Sequence, residues 1–195
     1  MDGVVRSLRV KALPRSELKK RAARIALVLS DSDGVMTDTG VYYSESGEAY
    51  KRFSIRDGMG VELLRNAGIE TAIITGERSG SVVRRSEKLG LRYLYLGVKD
   101  KRRQLNSIIA ETGISIERIA FIGDDVNDVE IIAAIGKSGL TAAPADAMPA
   151  VTRIVHYRCR AHGGNGAFRD FADWLLSLRA HHVSMPDVPR TTEQL

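Results

Sequence analysis

Short apolar runs punctuate this chain, and between them apolar positions recur at helical spacing. Ile25-Ala26-Leu27-Val28-Leu29 is the pattern of a short strand covered on both faces. The same type returns at Thr71-Ala72-Ile73-Ile74, Tyr93-Leu94-Tyr95-Leu96 and Ile119-Ala120-Phe121-Ile122. Helical spacing predicts helices over 57–66, 79–89, 100–111 and 127–135. They close on Gly68, Gly90, Gly113 and Gly136, the residue type that adopts the left-handed position ending a helix. Residues 41–53 read as a hairpin: Val41-Tyr42-Tyr43, a polar turn at Glu45-Ser46-Gly47, then Ala49 to Phe53. Ser16 is expected to cap a basic helix ending near Arg24. Short strands near Leu140 and Ile154-Val155 and a last helix over 167–179 complete the pattern. Strands alternating with helices specify an α/β fold: a doubly wound parallel sheet with helices on both faces and a small hairpin insertion. Residues 1–24 are expected to form an arm and entry helix, 25–180 the main domain, and 181–195, with Pro186 and Pro189, a flexible tail.

Charge changes this picture only at the amino end. The 195 residues carry 29 Lys+Arg and 24 Asp+Glu, a net +5 that would normally raise nucleic acid as a partner. Residues 1–24 hold eight of the basic groups and two of the acidic ones, so the rest of the chain is close to neutral. The basicity belongs to the leader, which counts against a nucleic-acid partner for the domain. No apolar run reaches the length of a membrane helix. Cys159 is the sole cysteine, which excludes a disulfide scaffold and makes a reducing cytoplasm the expected compartment.

In a parallel sheet, ligands bind beyond the carboxyl ends of the strands. After the first strand comes Asp31-Ser32-Asp33-Gly34-Val35-Met36-Thr37-Asp38, and after the second Thr75-Gly76-Glu77. Lys101 opens the helix after the third, and Gly123-Asp124-Asp125-Val126-Asn127-Asp128 follows the fourth. Converging carboxylates repel unless a cation neutralises them, and an all-oxygen site suits Mg²⁺. Thr75 and Lys101 are the donor types that hold a phosphate. Asp31 can attack phosphorus and form an aspartyl-phosphate. Asp33, two residues on, can protonate the leaving alcohol and then activate water.

Simpler readings of single pieces are weaker than the combination. An Asp-x-Asp-Gly string can be a calcium loop, but here the glycine position is Met36 and the closing acid would be Tyr42. Asp124-Asp125 and Asn127-Asp128 could merely cap the helix that follows. Gly136-Lys137-Ser138 imitates a nucleotide P-loop ending, yet it ends a helix instead of opening one. Cys159 and His162 have metal-like spacing without further ligands, and His181-His182 lies in the tail.

Asp31-x-Asp33-Gly34-Val35-x-Thr37-Asp38, Thr75-Gly76, Asp100-Lys101 and Gly123-Asp124-Asp125-x-Asn127-Asp128 together resemble the four motifs of haloacid dehalogenase-like phosphatases. Phe53-x-x-Arg56-Asp57-Gly58-x-Gly60, Leu94-Tyr95-x-Gly97, Ala145-Asp146-Ala147-x-Pro149 and Gly163-Gly164-x-Gly166-Ala167-x-Arg169 narrow the resemblance to the 3-deoxy-D-manno-octulosonate 8-phosphate phosphatase family. It implies Asp31 as nucleophile, Asp33 as general acid and base, and Thr75 and Lys101 on the phosphate. It further implies Mg²⁺ on Asp31, the Asp33 carbonyl and Asp124, with Asp125 or Asp128 supporting. Gly76, Arg56 and Asn127 are expected to line the substrate. The stretches between motifs hold no separate cap domain, and the resemblance implies a homotetramer in which hairpins pair and a neighbouring subunit closes the site.

Glu77 stands where octulosonate phosphatases usually carry arginine. With Lys88 it looks like the branch acting on nine-carbon keto acids such as 2-keto-3-deoxynononate 9-phosphate, Lys88 meeting the carboxylate and Glu77 a hydroxyl. Ser32, Thr39 and Asn165 also depart from the family's usual apolar residue, glycine and arginine. The resulting expectation is a Mg²⁺-dependent phosphatase of an 8- or 9-phosphorylated keto-acid sugar. A signalling receiver domain orders its acidic residues differently, and intact Asp31, Asp33, Lys101 and Asp124 argue against a non-catalytic oligomerisation module.

Overall fold

The structure is a computed structural model and describes residues 13–179. The expected arm at the amino end and the tail from 181 therefore fall largely or wholly outside the described residues. A six-stranded sheet, all its pairings parallel, forms the centre, in the order β5-β4-β1-β6-β7-β8. Its strands are β1 (Leu27–Ser30), β4 (Glu70–Ile74), β5 (Tyr93–Tyr95), β6 (Ile119–Ile122), β7 (Leu140–Ala143) and β8 (Tyr157–Arg158). Strands β2 (Thr37–Ser44) and β3 (Gly47–Phe53) form a separate antiparallel hairpin.

Alternation inside each apolar run sorts side chains onto two layers. Val28, Ala120 and Ile122 face one layer with Val61, Leu64, Phe168, Phe171 and Leu175. These come from helices α2 (Ile55–Asn66) and α7 (Ala167–Leu178). Leu27, Leu29, Ile119 and Phe121 face the other, with Leu105, Ile108, Ile131 and Ile135. Those belong to α4 (Lys101–Thr112) and α5 (Val129–Ile135). Helix α3 (Gly80–Leu89) packs beside α2. Burying both faces of β1, β4 and β6 is why these strands read as unbroken apolar runs.

Helix α1 (Arg15–Arg24) packs on the body through Arg21, whose guanidinium donates to the carbonyls of Gly136 and Gly139 at 3.0 Å each. Pro14, and not Ser16, occupies its amino-terminal cap position, and Ser16 lies inside the first turn. Proline supplies the fixed backbone angle that starts the helix without needing a side-chain bond. Gly68, Gly90 and Gly113 adopt positive φ as expected, but Gly136 has φ −60°. There the helix tightens into a further turn, with Gly139 N–H donating to the Ile135 carbonyl at 2.7 Å. The expected strand at Ile154-Val155 lies later, at Tyr157–Arg158, because the short helix α6 (Pro149–Thr152) occupies the preceding stretch and Ile154 is drawn into the core. The hairpin is longer than its pattern suggests. Its first strand is irregular where Thr39 takes φ +66°, a left-handed conformation that favours glycine.

Candidate active site

Chain order reverses across the sheet between β1 and β6, and the motif residues gather at the carboxyl ends of these two strands. Backbone bonds carry the sheet beyond its strands: Asp31 N–H donates to the Ile122 carbonyl and Thr75 N–H to the Tyr95 carbonyl, both at 2.9 Å. Asp31 therefore leaves the sheet on a rigid base. Its Oδ1 accepts from the Ser32 N–H at 2.7 Å, and its Oδ2 lies 2.7 Å from Lys101 Nζ. The same ammonium reaches Asp128 Oδ1 at 2.6 Å, and the second Asp128 oxygen accepts from the Asp124 N–H at 3.0 Å. Asp31, Lys101 and Asp128 are all buried.

Two glycines make this convergence possible. A Cβ on Gly34, which has φ +89°, would sit 2.0 Å from Asp124 Oδ2. A Cβ on Gly123 would sit 2.3 Å from Asp128 Oδ2. No other residue type lets both carboxylates fold back against the backbone of these loops.

Carboxylate oxygens of Asp31, Asp124 and Asp128 lie within 4.8 Å of one another. Burial pushes the Asp31 carboxyl well above its ordinary value, the Asp128 charge adds to this, and Lys101 opposes it. Burial, then Asp128 and Asp125, push Asp124 up to about 7. Lys101 is held above its ordinary value because the two carboxylates outweigh its own burial. Three acids thus crowd around one ammonium that pairs with Asp31 and Asp128, and Asp124 Oδ1 is buried with no hydrogen-bond partner among the described residues. An all-oxygen set, short of positive charge and with a bare oxygen, fits a hard divalent cation.

The expected site residues divide on this geometry. Thr75 is buried at the rim, its Oγ1 accepting from the Glu77 N–H at 3.2 Å, and Gly76 is half-buried beside it. Asp33 Oδ1 accepts from Lys51 Nζ at 2.6 Å and from Thr37 Oγ1 at 3.3 Å. Asp125 is exposed and turns its Oδ1 to the Val126 N–H at 2.6 Å, outside the three-carboxylate cluster. Asp128 is inside that cluster, with both oxygens held by Lys101 and by the Asp124 backbone. Asn127 and Arg56 are exposed, and neither side chain makes a hydrogen bond or ion pair among the described residues. Glu77 is exposed and lies 3.5 Å from Lys99 Nζ, while Lys88 is exposed in the last turn of α3. Glu77 and Lys88 are therefore not joined to each other directly.

Three contacts were not foreseen from the motifs. Lys51 reaches Asp33 from the hairpin, where a search of strand ends does not look. Its signal was available in β3, whose less exposed set is Ala49, Lys51 and Phe53, a lysine among inward-facing positions. Asp57 accepts from the Gly166 and Arg169 N–H groups at 3.2 and 3.0 Å, clamping the start of α7. Arg52 bridges Asp38 at 2.6 Å and Asn165 at 2.8 Å, tying hairpin to glycine loop.

Comparison with known proteins gives this arrangement a place. A family model for haloacid dehalogenase-like hydrolases matches residues 50–136. The 3-deoxy-D-manno-octulosonate 8-phosphate phosphatase KdsC of Yersinia pestis is 40% identical over 157 residues, 80% of this chain and 82% of that protein. The cobalt-bound deoxy-D-mannose-octulosonate 8-phosphate phosphatase of Haemophilus influenzae matches with TM-score 0.77 at 36% identity, covering 82% of this chain and 91% of that one. The 3-deoxy-D-manno-octulosonate 8-phosphate phosphatase of Moraxella catarrhalis, in complex with magnesium, phosphate and KDO, matches with TM-score 0.78 at 30% identity, covering 84% and 92%. Sequence identity sustained over four-fifths of the chain, on a shared fold, leads to one conclusion: this chain is a phosphatase belonging to the haloacid dehalogenase-like 3-deoxy-D-manno-octulosonate 8-phosphate phosphatase family.

Proposed function

We propose that the chain hydrolyses the phosphomonoester of an 8- or 9-phosphorylated keto-acid sugar, with 3-deoxy-D-manno-octulosonate 8-phosphate as the favoured substrate, in a unit spanning about 25–180. The observation that carries this reading is Asp31: a buried carboxylate at the sheet's switch point, fixed by Ser32 N–H and Lys101, beside Asp124 and Asp128. Mg²⁺ would be held by Asp31, the Asp33 carbonyl and Asp124. When bound, it would neutralise the carboxylates and withdraw charge from the phosphoryl oxygens. Asp128, with both oxygens occupied, supports from behind.

Asp31 attacks phosphorus as the bond to the sugar oxygen breaks, giving an aspartyl-phosphate and an alcohol protonated by Asp33. Water then attacks the same phosphorus, its proton passes to Asp33, and Asp31 leaves as carboxylate. Lys101 holds the nucleophile in place and offers charge to the phosphoryl group, while the Thr75 hydroxyl lies at the rim to donate.

Closure of the open rim by a second subunit, in a homotetramer built through the hairpin, belongs to the same proposal. Tyr42, Tyr43 and Tyr50 stand 63%, 75% and 73% exposed on a sheet that has two strands among the described residues, which supports it. One feature supports the nine-carbon alternative: Glu77 in place of the family's usual arginine.

Phosphate release from octulosonate 8-phosphate, nononate 9-phosphate and N-acetylneuraminate 9-phosphate, with and without Mg²⁺, tests the reading. Turnover should require the metal and disappear in Asp31→Asn, and Glu77→Arg should shift preference toward the eight-carbon sugar. Undiminished turnover in Asp31→Asn would sink the mechanism, and unchanged preference in Glu77→Arg would sink the role given to Glu77.

A further inference from the structure

Lys51 is a hairpin residue whose side chain is only 1% exposed. Burying an ammonium is expensive unless charged partners meet it. Two do: Asp33 Oδ1 at 2.6 Å and Glu48 Oε2 at 3.6 Å. Glu48 is itself anchored, accepting a hydrogen bond from Ser79, the amino-terminal cap of α3. The ammonium thus pairs directly with the loop after β1, which carries Asp31-Asp33, and through Glu48 with Ser79 in the loop after β4, which carries Thr75-Gly76. Asp33 Oδ1 takes a second donor, Thr37 Oγ1, at 3.3 Å. Asp33 Oδ2, by contrast, is buried with no hydrogen-bond partner among the described residues.

We infer that Lys51 is a positioning residue for Asp33, saturating one carboxylate oxygen so that the other is presented, bare and oriented, for proton transfer. This rests on the proposed role of Asp33 as acid and base. A carboxyl free to rotate would offer either oxygen to Lys51 and to the leaving group. With Oδ1 pinned by two donors from the hairpin, Oδ2 carries the proton that passes to the sugar oxygen as the phosphorus–oxygen bond breaks. Oδ2 then recovers a proton from the attacking water as the bond between Asp31 and phosphorus breaks. Lys51 itself neither gains nor loses a proton over the cycle. A consequence is that the hairpin acts on the chemistry of its own subunit, whatever else it contacts.

The test separates positioning of the acid from general damage. A sugar alkoxide needs a proton to leave, whereas p-nitrophenolate does not, and kcat/KM reports steps only through departure of that group. Lys51→Met should lower kcat/KM for octulosonate 8-phosphate by at least about tenfold, and for p-nitrophenyl phosphate by less than about threefold. Lys51→Arg should restore most of the sugar-phosphate activity. Equal falls on both substrates, or no fall on the sugar phosphate, overturn the inference. If the native chain spares octulosonate 8-phosphate, that counts against the substrate assignment, and the same ratio is read with glycerol phosphate as the alkyl ester. A double-mutant cycle of Lys51→Met and Asp33→Asn in urea unfolding reads the pair without turnover, with Lys51→Gln substituted should Lys51→Met not fold. Non-additive effects support the pairing, and additive effects refute it.

Discussion

Lys101→Met removes an ammonium that Asp31 and Asp128 share at 2.7 and 2.6 Å, all three groups being buried. The methionine stem fills much of the same space, so the perturbation is chiefly electrostatic. Removing one partner from a buried ion pair typically destabilises by about 3 to 5 kcal/mol, because the other charge is left uncompensated. For a chain of this size that corresponds to a Tm lower by roughly 6 to 20 °C. Asp31 can relieve part of the loss by taking a proton, since burial and Asp128 already raise its pKa. An acid whose folded pKa lies above its unfolded value favours the fold below the unfolded value, and that advantage is lost as pH rises through the folded one. The Lys101→Met deficit should therefore be larger at pH 8 than at pH 5. Adding Asp128→Asn removes one of the stranded charges and should recover about 1 kcal/mol or more. Urea unfolding with a chelator present, at both pH values, is the assay. A deficit below about 1 kcal/mol, no dependence on pH, or a double variant no more stable than Lys101→Met would refute the electrostatic account.

Gly34→Ala would set a methyl 2.0 Å from the present position of Asp124 Oδ2, at φ +89°. Backbone strain alone is about 1 to 2 kcal/mol, and Mg²⁺ affinity measured by calorimetry should fall at least about tenfold as Asp124 is displaced. Asp57→Ala strips the acceptor from one buried and one half-buried N–H group at the start of α7, and urea unfolding should register a loss of about 2 to 4 kcal/mol. His156 is held down to about 4, first by burial and then by Arg21. A base whose folded pKa is lowered gives its full stability above the unfolded value near 6.5 and loses it as pH falls toward 4. His156→Asn, which can keep an acceptor toward Thr141, should flatten up to about 3 kcal/mol of that acid loss in paired pH-dependent melts.

The parallel sheet was legible because β1, β4 and β6 bury both faces, which leaves no polar alternation and marks each as an apolar run. The strand-end rule then located Asp31, Thr75, Lys101 and Asp124 before any geometry was known. Strand β8 was misplaced because Ile154-Val155 looks like a strand by composition, whereas Ile154 is apolar for the core that α6 builds. Asp125 and Asp128 were indistinguishable as residue types. Only the 3₁₀ turn Val126–Asp128 swings Asp128 back under Lys101 and leaves Asp125 facing solvent. Arg56, Asn127, Glu77 and Lys88 carried motif identity but no spatial information, since a surface position imposes no packing constraint on the residue that fills it.

Periodicity and strand-end chemistry by themselves determined the layered α/β architecture and the convergence of Asp31, Asp124 and Lys101 at one rim of the sheet. These depend on local spacing and on which strand a loop follows, both written along the chain. Tertiary structure decided which acids share the ammonium, why Gly34 and Gly123 must lack a side chain, and that Lys51 reaches Asp33 from the hairpin. Those outcomes depend on ångström-scale approach between segments distant in sequence, and no one-dimensional pattern encodes them.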